Sequence, residues 1–213
     1  MRTTAATWIR VERLAWTVSI GCLGIWGLVY LAGALGARRE IARFEAVRAT
    51  SMREAAGPDL SLWSPQRISA WREATAQPAP PPLGLLRIRR IQLEVPILEG
   101  TSDWTLNRAV GHIADTADPD ANGNSGIAGH RDGFFRGLKD VEPGDTLELE
   151  TLRGTRTYRI ERAWIVGPDD VSVLDPTPSP TVTLVTCYPF YFVGSAPQRY
   201  IVRAVRAANT DSR

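Results

Sequence analysis

The chain has 213 residues, of which 44% are hydrophobic and 23% charged. That is close to a globular average and excludes a disordered tail, a collagen-like rod or a polytopic membrane protein. Lys+Arg 25 against Asp+Glu 23 leaves a formal +2, too little to argue for a nucleic-acid partner. The two cysteines, Cys22 and Cys187, cannot build a disulfide framework. With His112 and His130 as the only histidines, few side chains remain for nucleophilic or base chemistry.

Residues 1–13 form a short flank. From Leu14 to Ala37 there is no Asp, Glu, Lys or Arg, and the run is closed by Arg13 on one side and by Arg38 and Arg39 on the other. A helix of that length reaches roughly 36 Å, enough to span a bilayer core of about 30 Å. Trp16 and Tyr30 lie near its ends, where amphipathic aromatics favour the membrane interface. The run exceeds the roughly 7–15 residues of a signal-peptide core, so residues 14–37 read as an uncleaved single-pass anchor. Three arginines precede it and Arg38, Arg39, Arg43, Arg48 and Arg53 follow, so a plain positive-inside count puts the C-terminal side in the cytoplasm.

Residues 38–82 read as a helical stalk and a Pro-rich linker. Ile41, Phe44, Val47 and Met52 recur at helical steps, and Gly57-Pro58 ends that helix. Ser64-Pro65 signals a second helix, with a serine N-cap and a proline at the first position, running to about Ala76. Residues 77–82 (QPAPPP) form a stiff, extended spacer. The stalk either lifts the following domain off the membrane or packs onto it. Trp63 and Trp71 would be out of place on a fully solvated rod.

From Leu83 the periodicity becomes strand-like. Leu85–Ile91, Leu93–Leu98, Ser125–Ala128, Thr146–Thr151, Thr155–Val166, Val182–Cys187 and Tyr200–Val205 are short runs rich in Ile, Val, Leu and Thr, separated by turn signals such as Arg153-Gly154. Seven or eight strands with little room for helices predict a mainly β domain over residues 83–208, a small closed barrel or sandwich, with 209–213 as a tail.

Cys187 ends the run Thr181–Cys187, and a second strand-like run begins at Arg199. If the two pair as antiparallel neighbours, Cys187 and Arg199 sit side by side at one rim. His130 ends Ile127–His130, also at a strand-to-loop transition. A thiol, an imidazole and a guanidinium are what acyl transfer through a thioester requires: a nucleophile, a proton carrier and a fixed cation for the oxyanion. Each also has a structural reading, as strand filler, loop hydrogen-bonder or ion-pair partner.

Thr183–Cys187 (TLVTC), preceded by Ile127–Arg131 (IAGHR) and followed by Gln198–Ala204 (QRYIVRA), resembles the sortase family of cysteine transpeptidases. Gly129–Gly137 (GHRDGFFRG) and Cys187–Pro197 (CYPFYFVGSAP) look most like class D sortases and related proteobacterial enzymes. The resemblance implies an eight-stranded sortase β-barrel with Cys187 as nucleophile, His130 as acid/base and Arg199 as transition-state stabiliser, and no cofactor. It implies cleavage of an LPxTG-like sorting signal between Thr and Gly, a thioester, and transfer to an amine of peptidoglycan or of a protein. It also implies an extracytoplasmic barrel anchored in the cytoplasmic membrane, against the arginine count. A sortase-shaped binding module without catalysis and a thiol protease are the competing readings.

His112, Thr186 and Tyr188 are further candidates for substrate contact, although a structural role suits His112 better. Asp118, Asp120, Asn122 and Asn124 alternate as oxygen ligands do at the opening of a calcium loop, with Gly123 at the sixth position. Gly129 stands at the twelfth, where a bidentate Glu would be required, so the cation reading is weak. The segment 168–180, with its four prolines, is expected to cover one side of the cleft.

Overall fold

The computed structural model describes residues 57–191 and 194–207, together with isolated helical positions 16, 21, 23 and 24. The chain divides into two compact units, Met1–Gly57 and Pro58–Arg213. The expected anchor over 14–37 (apart from those four positions), the helix over 38–56 and the tail over 209–213 lie outside the described residues. Among the described residues no helix is long and apolar enough to cross a membrane.

The second unit opens with helix α1 (Pro65–Thr75). Ser64, in extended backbone, accepts a hydrogen bond from the Arg67 N–H through its hydroxyl at 3.2 Å. Pro65 fills the first helical position, where a missing N–H costs nothing. The predicted start and end both hold.

Eight strands follow: β1 (Gly84–Ile88), β2 (Leu93–Glu99), β3 (Val110–His112), β4 (Asn124–Ala128), β5 (Thr146–Thr151), β6 (Gly154–Val166), β7 (Thr181–Tyr188) and β8 (Gln198–Arg206). They close into a barrel in the order β1-β2-β3-β4-β7-β8-β6-β5. Pairing is parallel for β2–β3 and β4–β7 and antiparallel elsewhere. Alternate residues fill the interior: Leu86 and Ile88, Val95 and Ile97, Leu147 and Leu149, Tyr158 and Ile160, Val182 and Leu184, Val202 and Ala204. This period of two is what a closed sheet with one buried face demands.

Three features depart from the sequence pattern. The run 85–91 breaks after Ile88 into a 3-10 turn, because the chain reverses at Gln92 with φ of 52°. β3 has only three residues with Gly111 at its centre, too short to show alternation. The crossover from β2 to β3 carries helix α2 (Asp103–Arg108), capped by Ser102, whose six residues are too few for a helical period.

The segment ahead of the barrel is seated on it. Trp63, 9% exposed, belongs to the main core and meets Phe134 edge-on at 4.8 Å and Trp71 at 6.5 Å. Arg108 of α2 donates to the carbonyls of Ala74 and Gln77 at 3.0 and 3.1 Å, holding the C-terminal end of α1. Of the two dispositions open to this stalk segment, residues 60–77 adopt the packed one.

Candidate active site

β7 and β8 pair so that Cys187 lies directly opposite Arg199, the arrangement the two strand patterns predict. Opposed residues of an antiparallel pair project from the same sheet face. Cys187 is a free, half-buried thiol. It opens on a cavity of about 450 Å3 whose wall includes His130, Arg67, Arg131, Asp132 and Arg136. The Arg199 guanidinium is turned onto its own loop, donating to the carbonyls of Ala196 and Gln198 at 3.3 and 3.0 Å, and does not line that cavity.

His130 is delivered by β4, which runs parallel to β7 with Ala128 opposite Val185. One residue further, the Gly129 N–H donates to the Val185 carbonyl at 3.1 Å and the Gly129 carbonyl accepts from Thr186 Oγ1 at 2.7 Å. Only glycine fits there: an added Cβ would lie 2.7 Å from the Phe135 ring, which is fully buried. Burial, with the Arg67 guanidinium second, pushes the His130 pKa below the ordinary imidazole value, against the pull of Asp132 and Asp103. The imidazole is therefore neutral at pH 7. Its Nε2 is shielded from solvent with no hydrogen-bond partner among the described residues, so that nitrogen is uncommitted.

Two arginines lace the loop between β7 and β8 to the segment that follows His130. Arg131 donates to the carbonyls of Pro189 and Gly194 at 3.2 and 2.7 Å, and Arg136 donates to the Phe190 carbonyl while stacking on Tyr191 at 4.2 Å. Phe190 and Tyr191 close one side of the cavity. A thiol, an imidazole and a wall of guanidinium groups share one opening, the groups that acyl transfer through a thioester uses.

Residues 86–207 match the family model of the sortase domain. The chain belongs to the sortase family. It is 38% identical over 154 residues to sortase D of Bacillus subtilis, covering 72% of this chain and 76% of that one. Among solved structures, a Clostridium perfringens sortase D5 transpeptidase superposes with a TM-score of 0.55 at 28% identity, over 66% of this chain and 89% of that one. Sortase E1 of Streptomyces coelicolor, with a tripeptide in its active site, gives a TM-score of 0.55 at 35% identity, over 60% of this chain and 88% of that one. This sortase is thus a cysteine transpeptidase of class D-like type, built on the closed eight-stranded barrel.

The remaining candidates fall elsewhere in the sortase barrel. His112 is 3% exposed, with Nδ1 at 3.2 Å from a Glu99 carboxylate oxygen and Nε2 at 3.0 and 3.1 Å from the Ala117 carbonyl and the Thr116 hydroxyl. Both nitrogens are engaged, so it braces β3 and the following loop and does not reach the Cys187 cavity. Thr186, 2% exposed, points to the interior and spends its hydroxyl on Gly129, so it positions its neighbours and has no surface to offer a substrate. Tyr188 stacks on Tyr200 at 6.1 Å and lines a separate aromatic cavity.

The Asx-rich segment is committed to the fold. Asn124 is buried, its amide donating to the carbonyls of Val173 and Asp175 and its oxygen accepting from Thr183, while Asp120 pairs with Arg153 at 3.1 Å. Of the four oxygen ligands in the calcium reading of Asp118, Asp120, Asn122 and Asn124, these contacts engage Asp120 and Asn124. Among the described residues no group of three or more His, Cys, Asp or Glu side chains could hold a metal ion. The same bonds fasten the 168–180 segment against β4, where Leu174 packs beside Gly126, and none of its residues line the Cys187 cavity. The sequence pattern passed over Arg67, Asp132, Arg131 and Arg136. The last three lie within the 129–137 motif, but Arg67 lies in the stalk, where nothing local points to the site.

Proposed function

We propose that this sortase cleaves an LPxTG-like C-terminal sorting signal between Thr and Gly, holds the acyl part on Cys187, and passes it to an amine. The observation that carries this reading is the opposition of Cys187 and Arg199 at the rim where His130 shares the Cys187 cavity. The Cys187 sulfur attacks the Thr carbonyl carbon while His130, neutral at pH 7, takes the thiol proton. The C–N bond then breaks, and His130 returns the proton to the departing glycine amine. An incoming amine, from peptidoglycan or a protein, attacks the thioester and restores the thiol. Arg199 leaves the carbonyls of its own loop to meet the oxyanion. The tripeptide held in the active site of the Streptomyces coelicolor relative supports a peptide substrate.

Residues 14–37 anchor the enzyme in the cytoplasmic membrane with the barrel outside, where sorting-signal proteins and wall amines are found. Support comes from the charge-free run and from the helical positions within it, of which Trp16 and Leu23 present exposed apolar side chains.

The test is incubation with an LPxTG-type peptide and a short amine, followed by intact-mass measurement. The expected result is an adduct on Cys187, absent in Cys187→Ala, and an amine-linked product. Hydrolysed peptide alone would make the enzyme a protease, and no adduct would leave a binding module.

A further inference from the structure

The segment ahead of residues 86–207 contributes a side chain to the site. Arg67, in the first turn of α1 and with its side chain 18% exposed, meets Asp132 Oδ1 through Nε at 3.2 Å and through Nη2 at 3.0 Å. Its Nη1 donates to the Asn107 side chain of α2. Asp132 belongs to the tight turn that follows His130, closed by the Gly133 N–H donating to the His130 carbonyl at 3.1 Å. A Cβ at Gly133 would lie 3.5 Å from both Arg67 Cδ and His130 Cβ, so the arginine stem lies against this turn. Arg67 also lines both cavities that flank His130, the one at Cys187 and another of about 320 Å3 beside Asp103 and Asn107.

We propose that Arg67 is a positioning residue of the transpeptidation site: its clasp on Asp132 and Asn107 fixes the 130–133 turn and so presents the His130 imidazole to Cys187. The proposal rests on the role given to His130 above. A lone exposed ion pair would contribute little, but this guanidinium is mostly buried and engages a carboxylate and an amide on two different elements. The charged and titratable groups lining the two cavities beside His130 are Arg67 from α1, Asp103 from α2, Asp132 and Arg131 from its own turn, Arg136 from the 3-10 segment Phe134–Asp140, Cys187 from β7 and Tyr191 from the loop after it. Arg67 disfavours the imidazolium, whereas Asp132 and Asp103 favour it. Losing Arg67 therefore removes one of the two influences that hold the imidazole neutral, burial being the other, and His130 takes up a proton at higher pH than in the parent.

The experiment follows the imidazole directly in the full chain. With two histidines in the sequence, His130 is assigned by the NMR resonance lost in His130→Gln. Arg67→Gln is expected to move the His130 titration midpoint up and Asp132→Asn to move it down. Arg67→Lys keeps the charge and should leave the midpoint near that of the parent. Without the planar fork it should still slow thioester formation by on the order of ten- to a hundredfold. A folded Arg67→Gln with the parent midpoint, or an Arg67→Lys that acylates at the parent rate, overturns the proposal. If Arg67→Gln does not fold, Asp132→Asn and Arg67→Lys decide the question. If the parent itself forms no thioester, the reading of function fails, while the titration and the alkylation rate of Cys187 by iodoacetamide still report on the clasp.

Discussion

Thr186 Oγ1 donates to the carbonyl oxygen of Gly129 at 2.7 Å, tying the residue before Cys187 to the residue before His130. With the Gly129 N–H on the Val185 carbonyl, the strand that carries Cys187 holds both backbone polar groups of Gly129 at the start of the His130 turn. Thr186→Val keeps the shape and deletes the donor, leaving a buried carbonyl unpaired. The expected cost is about 1–3 kcal/mol of stability, read as a lower melting temperature, with slower thioester formation. Unchanged melting and unchanged acylation would show that β4 and β7 hold the pair without this bond.

The depressed His130 pKa has consequences for both activity and stability. As a base, His130 must be neutral, so acylation is expected to fall only below the usual imidazole range, with its acid limb displaced downward. For stability, the unfolded chain binds a proton near the ordinary value of about 6.5, whereas the folded chain resists it to lower pH. Between those two values the unfolded state holds more protons, so stability decreases as pH falls through the window and the penalty is complete below the folded value. His130→Gln removes this dependence. Chemical denaturation from pH 8 to 4 should show the parent losing more stability than the variant across that interval. Parallel curves would mean that the imidazole titrates alike in both states.

The opposition of Cys187 and Arg199 was legible in the sequence because two strongly patterned β runs flank one loop, and an antiparallel pair then has little freedom of register. Alternation likewise marked β1, β2 and β5 to β8, where one face meets the core. What the pattern lacked was local signal: β3 has three residues around a glycine, and α2 is shorter than two helical turns. The seating of Trp63 and Arg67 depends on partners about 65 to 71 positions away, Asp132 and Phe134. No periodicity reports such contacts. His112 shows the converse, since a histidine beside a strand reads the same whether it faces a substrate or, as here, is enclosed by Glu99, Thr116 and Ala117.

Arg199 donates to the carbonyls of Ala196 and Gln198, so the oxyanion role proposed for it requires a side-chain movement. Arg199→Ala is expected to slow thioester formation with an LPxTG-type peptide by about 10²–10³-fold, the loss typical of a missing oxyanion donor. Alkylation of Cys187 by iodoacetamide develops no tetrahedral oxyanion and should change far less. Equal losses in both reactions would assign Arg199 to the state of the thiol and not to the oxyanion.

Trp63 is the apolar counterpart of the Arg67 clasp. Four residues before Arg67, it fills a seat formed with Trp71 and with Phe134, which lies four residues after His130. Trp63→Ala should cost about 3–5 kcal/mol, the range for emptying a large aromatic site. Because the seat borders the turn that carries His130, acylation should fall at temperatures where the barrel remains folded. A chain beginning at Leu83, which lacks Trp63, Arg67 and α1 together, is expected to melt no higher than Trp63→Ala and to acylate more slowly. Full activity in that shorter chain would show that the barrel positions its imidazole without the preceding helix. Retained activity in Trp63→Ala but not in the shorter chain would assign the effect to the rest of the segment, Arg67 included, and not to Trp63.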